Sequence, residues 1–351
     1  MAYIGLVLSY VIGVKVYDRY HLQRHYILPQ MIGVILFILI SELGLTTIGR
    51  PIVISSALTM IILSSFTFSV GLNIAAVFEW KKHGPLTGFM LLFVLILAGM
   101  QFTAYKFLPS GIGYIAHPLN IGWSADTIKY FSSVFDKGIL VKYLNLSLLV
   151  TFALTPLANK LFSLRIDNHF EKKLEWDGIH LKGLGILILA GLLSWLLYGT
   201  VFTGAPYFYP HMLSFLLGIL IPKVYPPIAQ ANIRGNGKVL LSLATIGVMG
   251  QAWGVLRSGV SLAMLIGVLT YVMAFLLMHV FMKGPMKDTR DNIVFLAGCW
   301  GLVSASAITA MNAMKSASKN DGKSPALVTV PVIGLIIVNI IQWGVYLMTI
   351  N

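Results

Sequence analysis

Six stretches of this chain, residues 85–105, 183–222, 239–256, 258–282, 292–314 and 324–351, contain no Asp, Glu, Lys or Arg. Each reaches or exceeds the roughly 18 apolar residues that cross about 30 Å of hydrocarbon as a helix. The chain is therefore expected to fold with a bilayer as its solvent. Composition agrees, with 57% of residues hydrophobic and 11% charged, against about 25% charged in ordinary soluble domains. A net charge of +13 would point to nucleic acid in a soluble protein. Here the basic residues fall in loops between apolar runs, where Lys and Arg mark the cytoplasmic side, so membrane lipid and not nucleic acid is the expected partner. Cys299 is the single cysteine, which excludes an intrachain disulfide and a cysteine-based metal site. The first apolar run, 2–14, lacks a basic segment before it and a small-residue cleavage site after it, and is read as the first spanning helix.

Hydropathy places ten crossings at 2–17, 27–47, 51–70, 85–107, 140–160, 182–203, 207–225, 237–256, 258–282 and 326–350. Two segments remain. Residues 108–138 are punctuated by Gly and Pro and carry Asp126, Lys129, Asp136 and Lys137, which suits an outside loop or a re-entrant piece better than a lipid-facing helix. Residues 292–314 are long enough to cross but rich in Gly, Ser, Ala and Thr, which suits a discontinuous or re-entrant segment. With that segment re-entrant and both termini outside, the cytoplasmic loops collect most of the basic residues, among them Lys81, Lys82, Lys172, Lys173, Lys315 and Lys323. The outside loops keep Arg50, Lys106, Lys129, Lys137 and Arg257. The polar stretch 164–181 reads as a cytoplasmic linker between an N-terminal part, 1–163, and a C-terminal part, 182–351.

Across that linker the sequence faintly repeats itself. Pro29, Met31, Leu36, Ile38 and Leu39 recur as Pro210, Met212, Leu217, Ile219 and Leu220. Five crossings per half would put the halves in opposite orientations, so the expected fold is all-α and polytopic: two inverted repeats of five transmembrane helices, with 108–138 and 292–314 left as the candidates for a re-entrant or discontinuous segment. Catalytic patterns are missing. The chain has no HExxH, GxSxG or P-loop and no paired intramembrane carboxylate, and no enzymatic role is expected. Glu42, near a helix end, reads as an interfacial group, and His211 and His279 as bundle residues. A membrane enzyme would have to draw on His117, Asp126 and Asp136.

The most informative region is 297–342. Its small residues let backbones approach closely, while Ser304, Ser306, Thr309 and Asn312 bring uncharged hydrogen-bonding groups to membrane depth. Two readings stand: helix-packing glue, or a broken helix offering its N–H groups and side-chain oxygens to a solute.

In this region the chain resembles the bacterial sodium:glutamate symporter family. Ala297, Gly298, Gly301, Thr309, Ala310 and Met314 stand in register with the family's Gly-rich stretch AAGxCGFGLGATPTAIANMQ, and Gly322 and Ser324 follow as its G-x-S. Val330, Pro331 and Gly334 match its last helix. Gly71, Leu72 and Asn73 resemble the family's FxxxGLN, and Gln101 matches a following helix. The resemblance implies a homodimeric transporter in a bacterial inner membrane, moving a small amino acid or organic anion by an elevator-like alternating-access mechanism. It implies no organic cofactor, with sodium as coupling ion. By the same resemblance Asn73, Ser304, Ser306, Thr309 and Asn312 are candidate substrate contacts, Gly71, Asn339 and Gln342 candidate ion ligands, and Gly298 and Gly301 residues that shape the backbone. The chain departs from the family at several points. The first-hairpin Gly-Gly-His-Gly-Thr-Gly signature is absent from 108–138. Val303, Ser304, Ala305 and Ser306 replace glycines, and Asn339 and Gln342 stand where the family has Asp and Asn. The alternative is a homologue that has lost transport and serves as a membrane-embedded binding or assembly protein.

Overall fold

The computed structural model describes residues 2–50, 52, 54–77, 137–163, 181–201, 208–230, 233–262, 290–303 and 307–318, with scattered residues between 88 and 95, 264 and 269, and 324 and 330. All regular structure among them is helical: α1 (Ala2–Arg19), α2 (Pro29–Ile48), α3 (Ser56–Val77), α4 (Lys137–Ser163), α5 (Leu181–Thr200), α6 (Phe208–Val224), α7 (Ile233–Leu256), α8 (Arg290–Val303) and α9 (Ala307–Ala317). Short 3-10 and α turns at Leu22–His25 and Pro227–Gln230 complete the set. Segment 108–136, the linker 164–180, nearly all of the crossings at 85–107 and 326–350 and most of that at 258–282 lie outside the described residues.

The boundaries of α2 show how the sequence sets them. Pro29 occupies the first turn, where its missing N–H costs nothing. Gly49 ends the helix in the left-handed region at φ 71°, and its N–H returns to the Leu45 carbonyl at 3.0 Å. Between these ends no charge but Glu42 interrupts the helix.

Among the described residues four helices are long and apolar enough to cross a membrane: Pro29–Ile48, Val141–Leu161, Leu181–Thr200 and Asn236–Leu256. Two of them, α2 and α5, carry large apolar side chains on their exposed faces and bury glycines and polar groups beside Met31, Val34, Phe37 and Leu187. On α2 the buried side includes Gln30, Gly33, Ser41 and Gly44, whereas Ile35, Leu39 and Leu43, spaced four apart, are exposed. On α5 Gly183, Gly191 and Ser194 are buried while Leu189, Leu193 and Leu196 are exposed. Large apolar side chains outward and small or hydroxylated ones inward is the arrangement a hydrocarbon solvent favours. There the helices gain nothing by hiding Leu from lipid and associate through close packing and hydrogen bonds.

The chain divides into two compact units. The first holds residues 1–22, 27–79 and 171–254; the second holds 23–26, 80–170 and 255–351. In the first unit α3 packs against α5 and α6, and α1 against α2. A close crossing joins α3 to α6 at Gly71 and Gly218. A Cβ on Gly71 would meet Gly218 Cα at 3.0 Å and overlap the Phe215 carbonyl oxygen, and a Cβ on Gly218 would overlap the Phe68 carbonyl oxygen. In the second unit α4 packs against both α8 and α9, which pack on each other.

Candidate functional site

Helices α8 and α9 form an antiparallel hairpin. Their 14 and 11 residues make helices of about 21 and 16 Å at 1.5 Å per residue, each well short of a bilayer core of about 30 Å. Small residues let them close on each other. A Cβ on Gly301 would lie 2.5 Å from the Thr309 carbonyl carbon and overlap the backbone of Ala310. One on Gly298 would lie 2.8 Å from Met314 Sδ and 2.9 Å from Val330 Cγ2. The Thr309 hydroxyl donates to the Gly301 carbonyl at 2.7 Å and pins the two arms together. Thr309 and Asn312 are fully buried. Gly298, Gly301, Thr309 and Asn312 are thus brought together in one hairpin, whereas Ser304, Ser306, Asn339 and Gln342 lie outside the described residues.

Gly71 and Asn73 belong to the first unit, on α3. Gly71 forms the α3–α6 crossing. Asn73 closes a pattern that extends the repeat seen in α2 and α6: Ser64, Thr67, Val70 and Asn73 on α3 match Ser242, Thr245, Val248 and Gln251 on α7, each set spaced by three. The correspondence reaches the hydrogen bonds. Ser64 Oγ pairs with His211 Nδ1 at 3.2 Å, and His211 follows Pro210. Ser242 Oγ donates to Gln30 Oε1 at 3.4 Å, and Gln30 follows Pro29. The residue matching Asn73, Gln251, donates from Nε2 to the Ile54 carbonyl at 3.0 Å and to Thr59 Oγ1 at 2.9 Å. Glu42 accepts from Trp253 Nε1 at 2.8 Å in an exposed setting, in keeping with its reading as an interfacial group.

A second wall of the hairpin site escaped the sequence reading. Along α4, Tyr143, Ser147, Thr151, Thr155 and Asn159 recur every fourth residue and are all buried. A spacing of four keeps them on one slowly winding stripe of the helix. The C-terminal part of the stripe holds the hairpin: Trp300 Nε1 donates to Thr155 Oγ1 at 3.4 Å, and Asn159 Nδ2 donates to the Ala313 carbonyl at 2.9 Å. Further along, the Ser316 hydroxyl on α9 donates to the Tyr26 carbonyl. The N-terminal part of the stripe carries two buried hydroxyls, Tyr143 OH and Thr151 Oγ1, without a hydrogen-bond partner. The only signal for this wall in the sequence is the four-residue spacing of polar residues within an otherwise apolar helix.

The arrangement offers hydroxyl and amide groups, short helix ends and close backbones. No group of three or more His, Cys, Asp or Glu able to hold a metal ion occurs among the described residues. In an apolar surrounding each of its hydrogen bonds is stronger, and each unpaired polar group more costly, than in water. Compared with protein-family models, curated proteins and solved structures, the chain matches none of them.

Proposed function

We propose that this chain is a multi-pass membrane protein that carries a small solute, an amino acid or organic anion, across a bacterial inner membrane by secondary transport. The observation that carries this reading is the α8–α9 hairpin, two half-length helices closed on each other by Gly301 and Thr309. A chain that turns back within the bilayer must bury its turn in protein or line a polar cavity with it. Transporters use such discontinuous helices to present backbone groups and helix ends to a solute near the midplane. In this reading the hairpin is re-entrant and opens from the cytoplasmic side, and Ser304, Ser306, Thr309 and Asn312 contact the solute.

Two further observations support it. Residues 1–79 and 171–254 fall almost wholly in one compact unit, and 80–170 and 255–351 in the other. Each half of the chain therefore contributes its first part to one unit and its last part to the other, as two inverted repeats building a scaffold and a moving part would. The matched pairs Ser64–His211 and Ser242–Gln30 support the same repeat. An elevator-like alternating access in a homodimer, with both termini outside and a cation as coupling partner, completes the proposal. Asn339 and Gln342 are the residues offered for that cation.

The test is uptake of a labelled amino-acid and organic-acid panel into proteoliposomes, with and without an inward sodium gradient, by the intact chain and by Ser304→Ala plus Thr309→Ala. Sodium-driven uptake abolished by the double substitution is expected. Uptake indifferent to sodium would overturn the coupling ion, and no uptake of any panel member by demonstrably folded protein would overturn transport.

A further inference from the structure

The hydroxyl of Thr151 is out of keeping with the rest of the chain. Buried serines and threonines in these helices find an acceptor on another helix, as Ser214 does on Ser194, or return their hydroxyl to a carbonyl of their own helix, most often four residues back. Ser65 does so to Ile61, Thr155 to Thr151, Ser194 to Ala190 and Thr245 to Leu241, at 2.7 to 3.0 Å. That bond is the default in an apolar setting because it satisfies the donor without moving the helix. Thr151 has the Ser147 carbonyl in the same relation, yet its hydroxyl takes no partner although the residue is only 1% exposed. Two turns away on the same stripe, Tyr143 is 2% exposed and its phenol hydroxyl is also unpartnered. Ser9 on α1 shares the unpaired hydroxyl, but it belongs to the first unit, on a helix packed against α2. Thr151 and Tyr143 continue a stripe whose other end grips the candidate hairpin through Thr155 and Asn159.

Buried donors without acceptors destabilise the ligand-free protein, so their persistence side by side on one polar stripe calls for something that supplies acceptors. The charge of the surroundings says which kind. α4 carries Lys137, Lys142 and Lys160 and no acid, and α8 and α9 together carry Arg290 and Lys315 against Asp291 alone. A basic field over uncharged hydroxyl donors favours an anion whose oxygens accept hydrogen bonds.

We infer that the unpartnered hydroxyls of Thr151 and Tyr143 on α4, beside the α8–α9 hairpin, are binding positions for the carboxylate oxygens of the solute. The two residues stand about 12 Å apart along the helix, at eight residues of about 1.5 Å each. They are therefore separate stations on one polar stripe and not two arms of one clamp. This inference deepens the transport reading and rests on it for the solute's passage, but binding alone is enough to test it.

Equilibrium binding to the full-length protein in nanodiscs separates the two. The probes are labelled L-glutamate, L-serine and succinate, with L-serinamide as the control lacking a carboxylate. The intact chain is expected to bind at least one carboxylate probe and not the amide. Thr151→Val, which keeps shape and removes the donor, should weaken that binding about tenfold or more, Thr151→Ser should restore it, and Tyr143→Phe should weaken it less severely. The same Thr151→Val protein should melt at a higher temperature than the intact chain without ligand, because an unpaired buried hydroxyl has been removed. A purely structural threonine would not give that combination. Carboxylate binding unchanged in Thr151→Val, equal binding of L-serinamide, or no binding of any probe would each overturn the inference. Binding that behaves as expected with no flux in proteoliposomes would leave the inference standing and overturn transport.

Discussion

Replacing Gly301 with alanine should open the α8–α9 hairpin, and the protein carries its own reporter of that opening. The added methyl carbon would sit 2.5 Å from the Thr309 carbonyl carbon and overlap the Ala310 backbone. Neither group can swing aside as a flexible side chain would. Restoring ordinary contact at about 3.5 Å requires the arms to separate by about 1 Å. The Thr309–Gly301 hydrogen bond, 2.7 Å long, would then pass the length at which it counts as a bond. Overpacking of this kind costs about 1–3 kcal/mol and an interhelical hydrogen bond in a membrane averages about 0.6 kcal/mol. The closed hairpin should lose roughly 2–3.5 kcal/mol, a factor of about 30–300 in its opening equilibrium. Cys299, the single cysteine, lies on α8 two residues before Gly301 and is 1% exposed. Its reaction with a membrane-permeant maleimide therefore reads opening directly, provided reclosing outpaces labelling. Gly301→Ala should label faster by that factor and Thr309→Val, which removes the hydrogen bond but adds no clash, by only about threefold. Labelling of Gly301→Ala within twofold of the intact chain, in protein that still melts cooperatively, would refute the close-packed hairpin.

Substitutions at four other positions probe the packing of the first unit. Gly71→Ala and Gly218→Ala should each destabilise by about 1–3 kcal/mol. The double variant should cost clearly less than the sum, because the first methyl opens the gap that the second enters; a thermal or denaturant double-mutant cycle with additive losses would contradict the shared crossing. His211→Gln should be nearly neutral in melting temperature, because Gln30 fills the matching place opposite Ser242. His211→Ala should cost about 2–4 kcal/mol through the cavity and the lost partner of Ser64. Glu42→Gln should shift stability by less than about 1 kcal/mol, since its bond with Trp253 is exposed.

Charge-free runs and loop charges were enough to expect α1, α2 and α4 to α7 within a few residues, because a bilayer imposes length and polarity on a spanning helix regardless of its partners. The end of α3 was harder to see. Hydropathy suggested a stop at Val70, but the helix runs on to Val77, because Gly71 is the contact surface that buries it against α6. In the 292–314 run, the lack of charge shows that the segment can enter lipid but not where it turns; the turn depends on Gly301 allowing Ala310 to approach. The α4 stripe stayed hidden because hydroxyls four residues apart look the same whether they bond back to their own helix or face a ligand. Only the unpaired hydroxyls of Tyr143 and Thr151 tell the two apart. Asn73 drew attention through a resemblance, yet its match in α7, Gln251, is tied to the start of α3, a structural role that spacing alone does not reveal.

Transport through this fold depends on α8 and α9 entering and leaving the membrane on the same side, which impermeant-maleimide labelling measures directly. With Cys299→Ala as background, Arg290→Cys at the start of α8 and Lys319→Cys after α9 are placed one at a time, and right-side-out and inside-out vesicles are labelled in parallel. Both positions are expected to react from the cytoplasmic face alone. Reaction of the two from opposite faces would make 292–314 an ordinary crossing and contradict the re-entrant hairpin on which the transport reading stands.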